Sequence, residues 1–235
     1  MKHYLNLSDN DINDYKLLGE DNLLEAARTL VKTMSKGGQA IVVVDCDNDG
    51  YSAAAILLNY LHRLFPTWVE NNVDWYMHAG KSHGLKDCIN YILSRNYSLV
   101  LTPDSSSNDY TEHTMLKNAG IDCVVLDHHL AEKISEDAVI VNNQLCDYPN
   151  KELCGAGVVW QFCRYLDDLM NVSYANEFLD LLALALTADM MSMRSFETKY
   201  LINKGFRKEN IKNPFIDYMI DKNSFALSKS DYIPA

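Results

Sequence analysis

Three segments far apart in the chain each place acidic or imidazole side chains directly after an apolar run. The first, IVVVDCDNDG, sets Asp45, Asp47 and Asp49 at alternate positions before Gly50. The second, LVLTPDSSSND, presents Asp104, and the third, VVLDHHL, presents Asp127, His128 and His129. In extended chain alternate residues point to one side, so the first triplet would repel itself unless a cation lay among its carboxylates. Carboxylate oxygens supplemented by an imidazole suit a hard divalent ion, Mn²⁺ or Mg²⁺, better than a closed zinc site. Each segment has a plainer use when taken alone. D-N-D-G is a common turn composition, an aspartate after a strand commonly caps a helix, and adjacent histidines can be surface residues. What favours a single site is that all three sets fall at the same end of their apolar runs.

Those runs read as strands. Residues 40–44 (AIVVV) are a short continuous β-branched run, as in a strand buried on both faces, and residues 73–77, 99–101, 123–126 and 139–141 are further apolar strand candidates. Helical periodicity fits residues 52–65, 85–94 and 109–119 between them, with Pro66 ending the first. Before the strands, Leu23, Leu24, Ala27, Leu30, Val31 and Met34 recur at helical spacing up to Gly37-Gly38; after them, residues 158–169, 175–193 and 197–205 read as helices. Strand and helix in alternation predict an α/β fold, a five-stranded parallel sheet flanked by helices and followed by a helical segment. In such sheets ligands bind beyond the carboxyl ends of the strands, where the three motifs lie.

Composition narrows the function. Lys plus Arg is 21 and Asp plus Glu is 32, a formal charge of −11, which argues against a chain that merely coats nucleic acid unless its carboxylates are neutralised by metal ions. Hydrophobic residues at 48% and charged residues at 23% are globular values. No apolar run approaches the roughly 20 residues of a membrane span, and the polar start MKHYLNLSDNDIND does not read as a signal peptide. A cytoplasmic location with no membrane partner is therefore expected. The six cysteines never form C-x-x-C and read as reduced core thiols. Gly80-Lys81-Ser82 ends like a P-loop, but Trp75 stands where the first glycine belongs. No G-x-S-x-G elbow exists, and Met190, Met191 and Met193 read as helix packing.

Asp45-Cys46-Asp47-Asn48-Asp49-Gly50, then Asp104, then Asp127-His128-His129, then Thr187-Ala188-Asp189 resemble in order and spacing the four motifs of the DHH phosphoesterase superfamily. Within it the chain looks most like the RecJ-type single-strand-specific exonucleases, through GIDCVVLDHH, VIVNNQL, LCGAGVVW and LDLLALALTADMMSM, with Glu197-Thr198-Lys199 where that family usually has E-N-R. The resemblance implies a DHH catalytic domain over residues 38–195, an N-terminal helical extension over 1–37, and a helical connector over 196–235 leading to a further C-terminal domain beyond this chain. Two departures stand out: Ser105-Ser106 replaces the usual Asn-Gly, and Ser192 replaces a usual proline.

For the site, the resemblance implies two divalent cations about 4 Å apart, Mn²⁺ foremost and Mg²⁺ second, acting on a phosphodiester. Asp45 and Asp47 would belong to one, Asp49, His128 and Asp189 to the other, with Asp104 bridging. His129 is then expected to bind phosphate or donate a proton, with a purely supporting role behind the ligands an equal alternative, and Asp127 to orient an imidazole. Gly155, Ala156 and Gly157 open a helix whose free N–H groups could take a substrate phosphate, and Asn142 is expected to join them. Arg164 and Lys81 are weaker phosphate candidates, for which plain surface charge is the simpler reading. The implied activity is release of 5′-mononucleotides from single-stranded DNA in the 5′ to 3′ direction, with DNA repair, recombination or replication as the setting. Two rivals are a small-substrate DHH phosphoesterase, acting on oligoribonucleotides, 3′-phosphoadenosine 5′-phosphate, cyclic dinucleotides or pyrophosphate, and an inactive replication scaffold. The first more often carries a histidine ahead of a D-x-D pair, which residues 41–44 lack; the second predicts eroded ligands, and all are intact.

Overall fold

The computed structural model describes residues 6–80 and 82–222; Lys81 and the far end of the expected connector, 223–235, lie outside the described residues. The apolar runs form β1 (Gln39–Val44), β2 (Val73–Met77), β3 (Tyr97–Pro103), β4 (Asp122–Asp127) and β5 (Val139–Asn142). All pair in parallel, in the order β2-β1-β3-β4-β5. Connections diverge between β1 and β3, the one from β1 leading to β2 on one side and the one from β3 leading to β4 on the other, and that divergence opens a crevice at the strands' carboxyl ends. β1, β3 and β4 are nearly continuous buried runs. The edge strand β2 differs: Trp75 is 61% and Met77 56% exposed, so the sheet is not covered on both faces there.

Period-two alternation sends successive strand residues to opposite cores. Ala40, Val42, Val44, Leu99, Leu101, Val124 and Leu126 face the larger core, built with α1 (Glu20–Ser35), α2 (Asn48–Leu64), α6 (Gly155–Met170) and α7 (Leu179–Ala188). Ile41, Val43, Val100, Cys123 and Val125 face the smaller one, under α4 (Ile89–Leu93) and α5 (Tyr110–Asn118). α3 (Pro66–Asn72), α8 (Phe196–Gly205) and α9 (Pro214–Lys222) complete the α-helices among the described residues. Leu23, Ala26 and Leu30 of α1 lie in the larger core, so the N-terminal helix is integral to it. All six cysteines are free thiols. Among the described residues no helix is long and apolar enough to cross a membrane.

Among the boundaries that differ from the sequence reading, three have a local cause. α2 begins at Asn48 rather than Ser52, because Asp47 is its N-cap and accepts the Gly50 N–H at 2.9 Å. Asp45, Asp47 and Asp49 therefore do not sit on one side of an extended chain: Asp49 rides the first helical turn. Pro66 opens α3 at its first turn, where its missing N–H costs nothing. The span 175–193 divides into a 3₁₀ turn, Ala175–Phe178, and α7, which stops at Ala188 as Met190 turns to φ 55°.

Candidate metal centre at the sheet switch point

Asp45 follows β1, its carboxylate taking the Cys46 N–H at 2.9 Å. Gly50 is obligatory beneath it, since a Cβ there would lie 2.5 Å from the Asp45 Cβ. Asp104 follows β3 at φ 68°, left-handed backbone disfavoured for a side-chain-bearing residue, held by its N–H to Leu126 O at 2.8 Å. Gly155 leaves room for it: an added Cβ would fall 2.5 Å from the Asp104 Cβ. β4 delivers Asp127, His128 and His129, and Asp189 enters as the C-cap of α7. His128 Nε2 lies 3.3 Å from Asp104 Oδ1, 3.7 Å from Asp49 Oδ2 and 3.8 Å from Asp189 Oδ2. Ligand atoms fall within 4.8 Å of one another in three sets: Asp45, Asp47 and Asp104; Asp49, His128 and Asp189; and Asp104, His128 and His129.

The electrostatics are those of a place made for a cation. Burial, then the nearby Asp49, Asp127 and Asp47, push the Asp104 carboxyl well above its ordinary range. Burial also raises Asp45, with Asp47 adding to it and His83 and His129 opposing. Burial and Asp49 raise Asp189. Asp104 Oδ1 and Asp189 Oδ2 are buried without a hydrogen-bond partner, an arrangement costly unless something positive meets them. Oxygen donors with one imidazole fit hard divalent cations. Asp127 belongs to a different arrangement. Although burial opposes its ionisation, hydrogen bonds from His129 and Ser107 hold it below the usual carboxylate range. Its Oδ1 sits 2.7 Å from His129 Nδ1, and this bond raises His129 to about 9.

The expected phosphate ligands are otherwise employed. The Gly155 and Ala156 N–H groups donate to Asp49 Oδ2 and Oδ1 at 2.7 and 3.0 Å. The positive end of α6 thus fixes a rim carboxylate instead of awaiting substrate. Gly157 is a packing glycine, since an added Cβ would lie 2.5 Å from Leu153 Cγ. Asn142, 2% exposed, spends its amide on Ser107 Oγ at 2.8 Å, His129 O at 2.9 Å and, as acceptor, the Gln144 N–H at 2.7 Å. It positions the His129 backbone. Arg164 donates to Asn13 O and Gln161 Oε1 and stacks over Trp160, away from the rim carboxylates. Sequence reasoning missed His83, whose ring centre is 6.4 Å from that of His129. The available signal was its place just after β2, in a segment dismissed as a failed P-loop.

The DHH family, N-terminal domain, matches residues 39–186. YorK, an SPbeta prophage-derived protein of Bacillus subtilis named as a candidate single-strand DNA-specific exonuclease, is 34% identical over 228 residues, 96% of this chain and 38% of YorK. The single-stranded-DNA-specific exonuclease RecJ of Bacillus subtilis is 26% identical over 212 residues, 87% of this chain and 25% of RecJ. A crystal structure of exonuclease RecJ bound to manganese superposes with a TM-score of 0.76 at 21% identity, over 90% of this chain and 54% of that one. RecJ from Thermus thermophilus in complex with Mn²⁺ gives 0.67 at 24% identity, over 79% and 26%. These structures share the fold, and the chain spans well under half the length of both curated relatives.

Proposed function

Because the chain belongs to the DHH family, we propose that it hydrolyses phosphodiester bonds of single-stranded DNA, with two divalent cations held at the rim, releasing 5′-mononucleotides from the 5′ end. The observation that carries this reading is Asp104: buried, with Oδ1 unpartnered, and placed where the Asp45–Asp47 set meets His128. Asp45 and Asp47 would hold one cation, Asp49, His128 and Asp189 the other, and Asp104 would touch both. Cations so bound supply a water acidic enough to attack and neutralise charge gathering on the phosphate.

The remaining work falls to side chains. Asp127 keeps His129 protonated at neutral pH, since a value raised to about 9 leaves the imidazole cationic. His129 is half exposed, and its nitrogen not engaged by Asp127 can donate a proton to the departing 3′-oxygen. Asn142 and Ser107 fix this pair from behind. Asp49, tied to the α6 amides, is preorganised, so no reorientation is needed as charge develops.

The test is to incubate the protein with Mn²⁺ and 5′-labelled single-stranded DNA, duplex DNA or a dinucleotide. Mononucleotides from the single strand alone, lost in Asp104→Ala, support the reading. Cleavage of the dinucleotide alone would transfer the site to the small-substrate phosphoesterases, and activity indifferent to Asp104→Ala would remove it from this rim.

A further inference from the structure

We propose that His83 is a substrate-phosphate contact of this cleft, working beside His129. The inference rests on the phosphodiesterase reading and adds a residue to it. His83 lies between β2 and α4, in the segment that leaves the sheet where Met77 of β2 stands in register with Val44 of β1, one residue before Asp45. Two attachments hold that segment against the rim. Gly84 adopts φ 71° and has no room for a side chain, a Cβ there falling 2.5 Å from Asp109 Oδ2 and 3.4 Å from Ser106 Oγ. Leu85, fully buried in the smaller core, donates its N–H to Asp109 Oδ2 at 2.8 Å, and Asp109 in turn donates to Ser106 O at 3.1 Å. The loop presenting His83 is therefore fastened to the loop presenting Asp104.

The imidazole itself is exposed and makes no hydrogen bond among the described residues. That sets it apart from its neighbours: His128 faces Asp49, Asp104 and Asp189, and His129 is bound to Asp127. A rim of carboxylates repels a phosphate strand wherever no cation or donor intervenes, and His83 is a donor without other employment. Rings whose centres lie 6.4 Å apart can each bring an N–H within about 3 Å of oxygens of one phosphate. A contact to phosphate carries no base information, so it should act alike on every sequence.

The test compares wild type, His83→Ala, His83→Gln and His62→Ala, the last an exposed histidine paired with Glu70 near the far end of α2. Fluorescence anisotropy reads binding of labelled oligo(dT) and oligo(dA) with Ca²⁺ in place of Mn²⁺, and initial rates with Mn²⁺ give KM and kcat. The expected result is binding weakened about tenfold in His83→Ala for both strands, the size of one hydrogen bond to a charged group. KM should rise in parallel, binding should recover partly in His83→Gln, and His62→Ala should match wild type. Wild-type affinity in His83→Ala, loss confined to one base, or no strand binding by wild type would each overturn the proposal. If wild type cleaves single strands and His83→Ala keeps both its KM and its binding, this proposal fails while the nuclease reading stands. If His83→Ala weakens binding but wild type cleaves nothing, the nuclease reading fails and the contact stands.

Discussion

Asp104 and Glu197 are 1% and 2% exposed, yet their surroundings are opposite. Glu197 accepts from the Asn13 N–H and side-chain amide at 2.9 and 2.8 Å, Tyr148 OH at 2.7 Å, Asn150 at 2.9 Å and Gln161 at 3.1 Å. It joins the N-terminal segment, the loop after β5, α6 and α8. Asp104 Oδ1 has no hydrogen-bond partner, with His128 Nε2 3.3 Å away, and the residue sits on left-handed backbone and faces like charges. A buried carboxylate with all its donors supplied by the chain is part of the framework. One the chain leaves unsatisfied, at the crevice of a parallel sheet, is a candidate ligand for a cation.

Substitution should separate the two most sharply. Asp104→Ala is expected to lower phosphodiesterase activity by at least on the order of 10²-fold, while the melting temperature in EDTA holds or rises because a destabilising charge is gone. Glu197→Ala should cost about 3 kcal/mol in denaturant unfolding, since it strands several buried donors. The contrast breaks if Asp104→Ala unfolds the protein or Glu197→Ala leaves its midpoint unchanged.

Acidity offers the next discrimination, in metal-free protein. Burial and Asp49 raise Asp104, so the folded state holds that proton more tightly than the unfolded chain does. The resulting stabilisation is present at acid pH and lost as pH climbs from the ordinary carboxylate range through the raised value. His129, raised to about 9 by its bond to Asp127, adds stability fully present below its ordinary value near 6.5 and lost as pH rises through about 9. Melting temperature should therefore fall across this upper window, and His129→Gln should flatten the fall. An equally steep fall in His129→Gln would assign it to other groups.

Much of this was legible in the chain. Apart from β2, the exception with Trp75 and Met77 exposed, the runs of β1, β3, β4 and β5 marked strands because parallel strands buried on both faces leave few other readings. The carboxylates at their ends marked the rim because the sheet's topology brings those ends together. What escaped was local hydrogen bonding. Nothing in DCDNDG separates an extended run from Asp47 capping a helix that begins one residue later, and nothing in GAG says its N–H groups will be taken by Asp49, 106 residues away along the chain. Asn142 looked like a phosphate ligand because the sequence names a polar residue at a strand end without showing its amide already spent. Asn142→Ala should thus act indirectly, reducing kcat about tenfold by loosening His129, with KM unchanged; a rise in KM alone would restore it as a substrate contact.

The smallest effect concerns Ser106, which stands where the family usually has glycine and adopts φ 80°. Ser106→Gly should stabilise the protein by about 1 kcal/mol, relieving left-handed strain, as read by chemical denaturation; destabilisation would mean that the serine side chain repays that strain.

The most direct test of the central claim is a titration with Mn²⁺ followed by electron paramagnetic resonance of the free ion. Two ions bound per wild-type chain, and at most one in Asp104→Ala, is the predicted result. Absence of Mn²⁺ binding by wild type, or the same number bound by Asp104→Ala, would contradict it.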